Sequence, residues 1–476
     1  MVKPSISWVT LWMIKTKKGL FKMSEKTIYK NLPIVSAKCT GLDDLGQGVY
    51  KDKDNILFAR GLLPGEEGEV QLRAVKGKVA FGDTIKVTKK SPDRVKCPFE
   101  LTETGISDLG HLRYEKRLIY KQENIRNLIK KFTHLDIEVK PTIPCPLKDG
   151  FRNKIQRPVK YSAKEKKIVS GYYRINTHKL VEMEHCPIES KLSDIVLTNL
   201  LTILNKYNIQ AYDEDSQVGL LRHILIRTSY NYQEALVTLV VTSFEVPNLD
   251  NIVKDLIDIC PEVKSITLNL NKRRTNVILG MLDKVVYGDG HIKDSILGKT
   301  FIISAKSFYQ TNPSLLDQLY GKAIEGLNLN GTETILDAYC GTGTIGICMA
   351  DKAKRVVGVE IESSSYEDAL TNAKNNHISN ISFHLDDATE YLQRTDEHFD
   401  CIVLDPPRKG TTPEFIKALI KNGPEKVAYI SCDPATLARD LNLLKNDYSI
   451  ISVQGVDMFP TSHHVETVVL LSKKNG

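Results

Sequence analysis

Residues 335–346 read ILDAYCGTGTIG, and four related segments follow: RVVGVEI at 355–361, CIVLDPPRKG at 401–410, VAYISCDP at 427–434 and HHVETVVLL at 463–471. Short apolar strands here end in clusters of Gly, acid, Pro or Cys, with polar helical segments between them. This is the rhythm of a parallel sheet with helices on both faces. In such a sheet ligands bind at the carboxyl ends of the strands, and the unusual residues fall at those ends. After the strand at 335–338, Gly341 and Gly343 allow backbone N–H groups to approach a ligand, and a helix starting near Thr344 adds its positive end. The strand at 356–359 stops at Glu360, about 20 residues further on, where an acid commonly accepts hydrogen bonds from ribose hydroxyls. A ribose-bearing cofactor is therefore expected. The strand at 401–404 ends in Asp405-Pro406-Pro407, a stiff bend that projects a carboxylate. The strand at 427–430 ends in Ser431-Cys432-Asp433-Pro434, a thiol placed just before a helix start, where a thiolate can be stabilised. Cys432 is the candidate nucleophile, whereas Cys348 and Cys401 read as small buried hydrophobes.

The segments DAYCGTGTIG, GVEI, LDPPRKG, ISCDPATLARDL and DMFPTSHHVETVVLL resemble the successive signatures of the S-adenosylmethionine-dependent RNA (uracil-5-)-methyltransferases. Upstream, KSFYQTNP at 306–313, FRNKIQRP at 151–158 and LLRHILIRTS at 220–229 also resemble family segments. The resemblance implies a Rossmann-like class I methyltransferase domain over 301–476. It assigns the cofactor to Gln310, Tyr339, Glu360 and Asp405, with backbone contacts at Gly341 and Gly343. Either Asp387 or Asp386 would read the adenine. Phe308 would lie beside the target base, and Arg408 with Asp405 would position base or cofactor.

The chemistry at uracil C5 explains the remaining residues. C5 is a poor nucleophile until something adds at C6, and a thiolate suits because it both adds and leaves. Cys432 takes that role. The C5 proton must then be removed by a base, and Glu466 matches the family's base. A glutamate among so many apolar residues would otherwise be expensive to bury. Both faces of the uracil must be reached, so the uridine is expected to be flipped out of its stack.

The 476 residues allow two to four domains, and the net charge of +7 is consistent with an acidic partner such as nucleic acid. The nine cysteines form no CxxC pair and, without a credible secretion signal, read as reduced cytoplasmic thiols. Residues 1–22 carry both tryptophans, in an apolar run too short to span a bilayer. Met23 looks like a more natural start, so 1–32 is expected to be an extension, poorly ordered and without a catalytic role. Short β-rich runs with Gly turns over 33–92 predict a small antiparallel barrel of the oligonucleotide-binding kind, similar to the TRAM domain of many family members. Its Arg60, Arg73, Lys76, Lys78, Lys89 and Lys90 suit phosphate. Residues 93–300 read as a central α+β insertion, with a helix at 115–131 that in relatives packs on the catalytic domain. Arg152, Lys154, Arg157, Tyr172, Tyr173 and Arg174 there interleave basic and aromatic groups, as RNA binding requires. Arg152 and Lys154 are the substrate-binding candidates.

Many relatives bind a [4Fe–4S] cluster through four cysteines. This chain keeps only Cys97 and Cys186 at those places, so no cluster is expected. His185 beside Cys186 lacks paired ligands at finger spacing, so no metal is expected either. The chain is expected to be cytoplasmic and monomeric, without a membrane partner. The front barrel and chain length resemble the ribosomal-RNA members, which favours 23S rRNA over tRNA. Other readings are weaker. Amino-group methyltransferases carry an aromatic where Arg408 stands, and a nicotinamide dehydrogenase leaves Cys432 and Glu466 unexplained. A noncatalytic RNA-binding or RNA-folding factor would need neither residue.

Overall fold

A computed structural model describes residues 32–274 and 277–474; the expectations for residues 1–22 lie outside them. The chain divides into two compact units. One takes the residues up to 121 together with 459–464, and the other takes 122–458 and the residues from 465 onward.

In the first unit, the strands Ile34–Lys38, Gly41–Leu42, Gly48–Asp52, Asn55–Arg60, Glu67–Lys76 and Val79–Lys89 form one six-stranded sheet. Period-2 alternation buries Val35, Ala37, Leu57, Ala59, Val70 and Leu72 in its core. Pairing is antiparallel except between Asn55–Arg60 and Val79–Lys89, which run parallel. Three of the basic groups read as phosphate contacts are drawn to acids instead: Arg60 and Arg73 pair with Asp83, and Lys78 pairs with Asp54. The segment 459–464, inside the span read as catalytic, belongs to this unit: Leu109 N donates to Thr461 O (3.1 Å) and Lys121 Nζ to Phe459 O (2.8 Å).

The second unit holds the sheet that the motifs foretell. Its strands are β1 (Thr334–Asp337), β2 (Arg355–Glu360), β3 (Ile381–Leu385), β4 (Cys401–Leu404), β5 (Lys426–Ser431), β6 (Tyr448–Val456) and β7 (Glu466–Lys473). They stand in the order β3-β2-β1-β4-β5-β7-β6, with Lys140–Ile143 added beside β6. Strands β1 to β5 are parallel, whereas β7 runs antiparallel to both β5 and β6. The connection 457–465 is shorter than the dozen or so residues a parallel crossover needs, so the chain can only turn back. Leu336, Val357, Ile402, Val427 and Val469 pack with Phe415, Leu419, Leu437 and Leu441 of the flanking helices. Ile125, Leu128 and Ile129 of the helix Tyr114–Thr133 complete that core.

The same unit contains a seven-stranded sheet, Leu180–Glu182, Lys167–Tyr173, Lys154–Ser162, Leu221–Thr228, Ala235–Val241, Val263–Leu270 and Leu282–Tyr287, in that spatial order. The apolar run NVILG at 276–280 is loop over its described residues 277–280; Asn269 and Asn271 bond its backbone at Gly280, Val277 and Ile278. Side-chain amides thus take the bonds a ladder would have used. Among the described residues no helix is long and apolar enough to cross a membrane.

Candidate active site

The site grows from a strand register. Antiparallel β5 and β7 pair Ile430 with Val468 and Ser431 with Thr467, so the next step along the ladder sets Cys432 and Glu466 opposite each other where the pairing ends. Cys432 sits in the short turn between β5 and the helix Pro434–Leu444. That helix does not stabilise a thiolate as expected, because its first N–H groups are already capped. Asp433 Oδ1 accepts from Ala435 N (2.9 Å) and Thr436 N (3.1 Å).

Charge around the pair favours protons. Burial pushes the Cys432 thiol up to about 12, with Glu466, Asp405 and Asp433 adding to the rise and only Arg408 opposing it. Glu466 is 2% exposed, and burial followed by the Asp405 charge pushes its carboxyl up to about 8, again against Arg408. Its Oε2 has no hydrogen-bond partner among the described residues. Asp405, at the end of β4, is raised to about 7 by burial. Cys432 and Glu466 therefore share Arg408 as an opposing charge, with the buried Asp405 beside them.

The helix after Cys432 also holds the Asp405–Arg408 bend in place. Thr436 Oγ1 donates to Arg408 O (3.2 Å), and Arg439 donates to Lys409 O (2.9 Å) and Thr411 O (3.0 Å). Buried Asp440 accepts from Thr411 N (2.9 Å) and the Tyr429 hydroxyl (2.7 Å). The run TLARD is thus a brace for the neighbouring Pro-Pro loop.

On the other side of the sheet's carboxyl edge, Gly341 (φ +56°) and Gly343 (φ +80°) turn the chain from β1 into the helix Thr344–Met349. A Cβ on Gly343 would meet Ile347 and Phe383 at 3.0 Å, whereas one on Gly341 would enter open space. Glu360 Oε2 accepts from Gly341 N (2.9 Å) and Oε1 from Glu362 N (2.7 Å); each oxygen keeps a second acceptor lone pair for a ribose hydroxyl. Tyr339 leans on Phe415, centroids 5.5 Å apart, at the end of β1. Asp387 caps the helix Ala388–Arg394, accepting from Thr389 N (2.8 Å) and Glu390 N (3.1 Å). Asp386, the alternative adenine reader, pairs with Arg394. Gln310 is nearly buried, whereas Phe308 stands 62% exposed.

Two residues escaped the sequence reading. Asp337, fully buried in β1, accepts from Gly346 N (2.8 Å) and so braces the glycine turn, while its Oδ1 has no partner among the described residues and burial lifts its carboxyl to about 7. An acid inside an apolar strand was the available signal. Tyr320 is 2% exposed, and burial first, then the charges of Asp405 and Glu466, push its hydroxyl well up; nothing in its helical context marks it. The RNA-side expectations divide. Arg157 is fully buried and bidentate to Glu189 (2.8 Å for both bonds), with Tyr172 closing on the same carboxylate, so these two serve the core rather than a ligand. Arg152 and Lys154 remain beside the site, since Asn153 N between them donates to Thr311 O (2.9 Å). His185 pairs with Asp194 (2.8 Å). Among the described residues no three His, Cys, Asp or Glu side chains group to hold a metal.

Residues 113–474 match the family model described as tRNA (uracil-5-)-methyltransferase. An uncharacterized RNA methyltransferase of Oceanobacillus iheyensis is 38% identical over 90% of this chain and 94% of its own length. One from Bacillus cereus is 39% identical over 90% of this chain and 94% of its own. Among solved structures, the Pyrococcus abyssi tRNA (uracil-54, C5)-methyltransferase in complex with S-adenosyl-L-homocysteine matches with a TM-score of 0.73 at 26% identity, covering 92% of this chain and 99% of that one.

Proposed function

The chain belongs to the tRNA (uracil-5-)-methyltransferase family, whose members are S-adenosylmethionine-dependent RNA methyltransferases, and from that premise we propose that it methylates C5 of a uridine in RNA through a covalent Cys432 adduct. The observation that carries this reading is the β5–β7 register, which sets a thiol and a buried carboxyl opposite each other at the sheet's ligand-binding edge.

Gly341, Gly343, Glu360, Asp387, Tyr339, Gln310 and Asp405 would hold the cofactor, and Phe308 and Arg408 the flipped base. When bound, the cofactor supplies a methyl group on a positively charged sulfur. The protein's own groups do the rest. Cys432 loses its proton and its sulfur bonds to C6, which makes C5 enolate-like and able to accept the methyl group. Glu466 then takes the C5 proton, the C5–C6 double bond re-forms, and the C6–S bond breaks to release the Cys432 thiolate, which regains from solvent the proton it gave up there. With its carboxyl at about 8, Glu466 is a stronger base than an ordinary carboxylate once it has lost its own proton.

The front sheet, read as a TRAM-like RNA-binding barrel, supports 23S rRNA as substrate. A second reading, tRNA, is supported by the Pyrococcus abyssi enzyme, which acts on tRNA and is covered over 99% of its length. Chain length therefore does not discriminate between the two RNAs. The test is nucleoside mass spectrometry after incubating wild type and Cys432→Ala with S-adenosylmethionine and, separately, unmodified 23S rRNA and tRNA transcripts. 5-Methyluridine with wild type alone is expected, and the responding RNA identifies the substrate. Equal 5-methyluridine with both proteins would refute the covalent adduct, and none with either RNA would refute the activity on these substrates.

A further inference from the structure

Lys154 and Arg227 are directly opposed in the antiparallel pairing of Lys154–Ser162 with Leu221–Thr228, so their side chains lie on one face. Lys154 Nζ has no hydrogen-bond or ion-pair partner among the described residues, and its charged neighbours are Arg227 and Arg152, both cations. Arg227 is 2% exposed. Its guanidinium donates to Ala305 O (3.4 Å) and to Ser307 O, while its Nε has no partner among the described residues. Arg152 completes the cluster, its Nε donating to Lys154 O (2.9 Å). Asp368, bonded to Ser307 Oγ (2.6 Å) and facing Arg227 and His291, is the acid near Arg227, and it does not offset Lys154. Bringing cations together with no acid beside Lys154 is costly, and burial with the two arginines holds the Lys154 ammonium down at about 7. The cluster adjoins the site. Arg227 touches Ser307, and Asn153 N touches Thr311, so it flanks the segment that carries Phe308 and Gln310.

We propose that Lys154, Arg152 and Arg227 form a subsite for a phosphodiester of the RNA backbone beside the target uridine. This rests on the RNA-methylation reading above and adds Arg227 and the ligand's chemistry to it. A phosphate carries the negative charge that Lys154 has no acid beside it to supply and offers acceptors to Lys154 Nζ, while buried Arg227 adds its charge from behind. The contact restores the Lys154 proton, so binding takes up a proton and RNA affinity falls as pH rises above about 7.

The test is binding of unmodified tRNA and 23S rRNA transcripts to the full chain, without cofactor, across salt concentration and pH. Lys154→Gln is expected to weaken binding roughly 10–100-fold and to flatten the salt dependence by about 0.7 in log–log slope. Lys154→Arg, charged throughout, is expected to keep the salt slope and lose the pH dependence. Melting temperatures of both variants at or above wild type exclude unfolding as the cause. A salt slope and pH dependence unchanged in Lys154→Gln, or no RNA binding by wild type, would overturn the subsite. Lys154-dependent binding of an RNA that wild type does not methylate would instead count against the methylation reading and leave the subsite standing.

Discussion

Cys432 and Glu466 are held protonated by burial and by the carboxylates around them, at about 12 and about 8, with Arg408 as the opposing charge. In the proposed chemistry both lose a proton, so the single-turnover rate at saturating RNA and cofactor should rise with pH between about 6 and 8; a flat profile in that window would contradict it. Glu466→Gln cannot take the C5 proton. Turnover should fall by about 10²–10⁴-fold, and a covalent protein–RNA adduct should accumulate on a denaturing gel, because C6–S cleavage waits for that step. The two glycines of the β1 turn separate cofactor binding from folding. Gly341→Ala places a methyl group in open space, and should weaken S-adenosylmethionine binding at least tenfold while costing about 1–2 kcal/mol of stability from its positive φ. Gly343→Ala adds 3.0 Å contacts with Ile347 and Phe383, and should destabilise more in a denaturant titration.

At the scale of elements, the helix Tyr114–Thr133 is part of the catalytic core, because Ile125 and Ile129 are fully buried against it. Ile129→Ala should therefore cost about 2–5 kcal/mol in urea unfolding, as much as a core residue of the motif region; a loss below about 1 kcal/mol would show that the helix merely rests on the surface. The strand Lys140–Ile143 has a related role, covering the exposed edge of β6. Strands β1, β2, β4 and β5 were legible within a residue or two, because apolar runs punctuated by Gly, acid and Pro have few alternatives. The edge strand KPTI was not legible: four residues with a proline carry no periodicity, and only the free backbone groups of β6 make them a strand. The helix cap was misread for a similar reason. Asp433, one residue nearer the helix and a stronger acceptor, takes the first N–H groups and leaves none of them to Cys432.

Across the whole molecule, Asp337, Asp405 and Glu466 are buried acids raised to about 7, 7 and 8 from ordinary values near 4. Their unfolded forms ionise first, so stability should fall as pH rises from about 4 to 8 and level off above that window. Glu466→Gln should reduce the slope and raise the melting temperature at pH 8. S-adenosylmethionine, whose sulfur is cationic, should stabilise the protein more at pH 8 than at pH 6, and S-adenosylhomocysteine, whose sulfur is neutral, should show less of that difference; equal pH dependence for the two would argue against carboxylates at the sulfonium. The sequence by itself determined the catalytic sheet, its ligand-binding edge and the candidacy of Cys432, Glu466 and the glycine turn, because each depends on local pattern: strand period, turn chemistry and a residue's place at a strand end. Only the tertiary structure decided how those groups act on one another. Burial and neighbouring charge raised the carboxyls, packing set Arg157 in the core with Glu189, and Lys154 was left facing Arg227 with no acid of its own. Those are properties of residues far apart in the chain, and no local pattern encodes them.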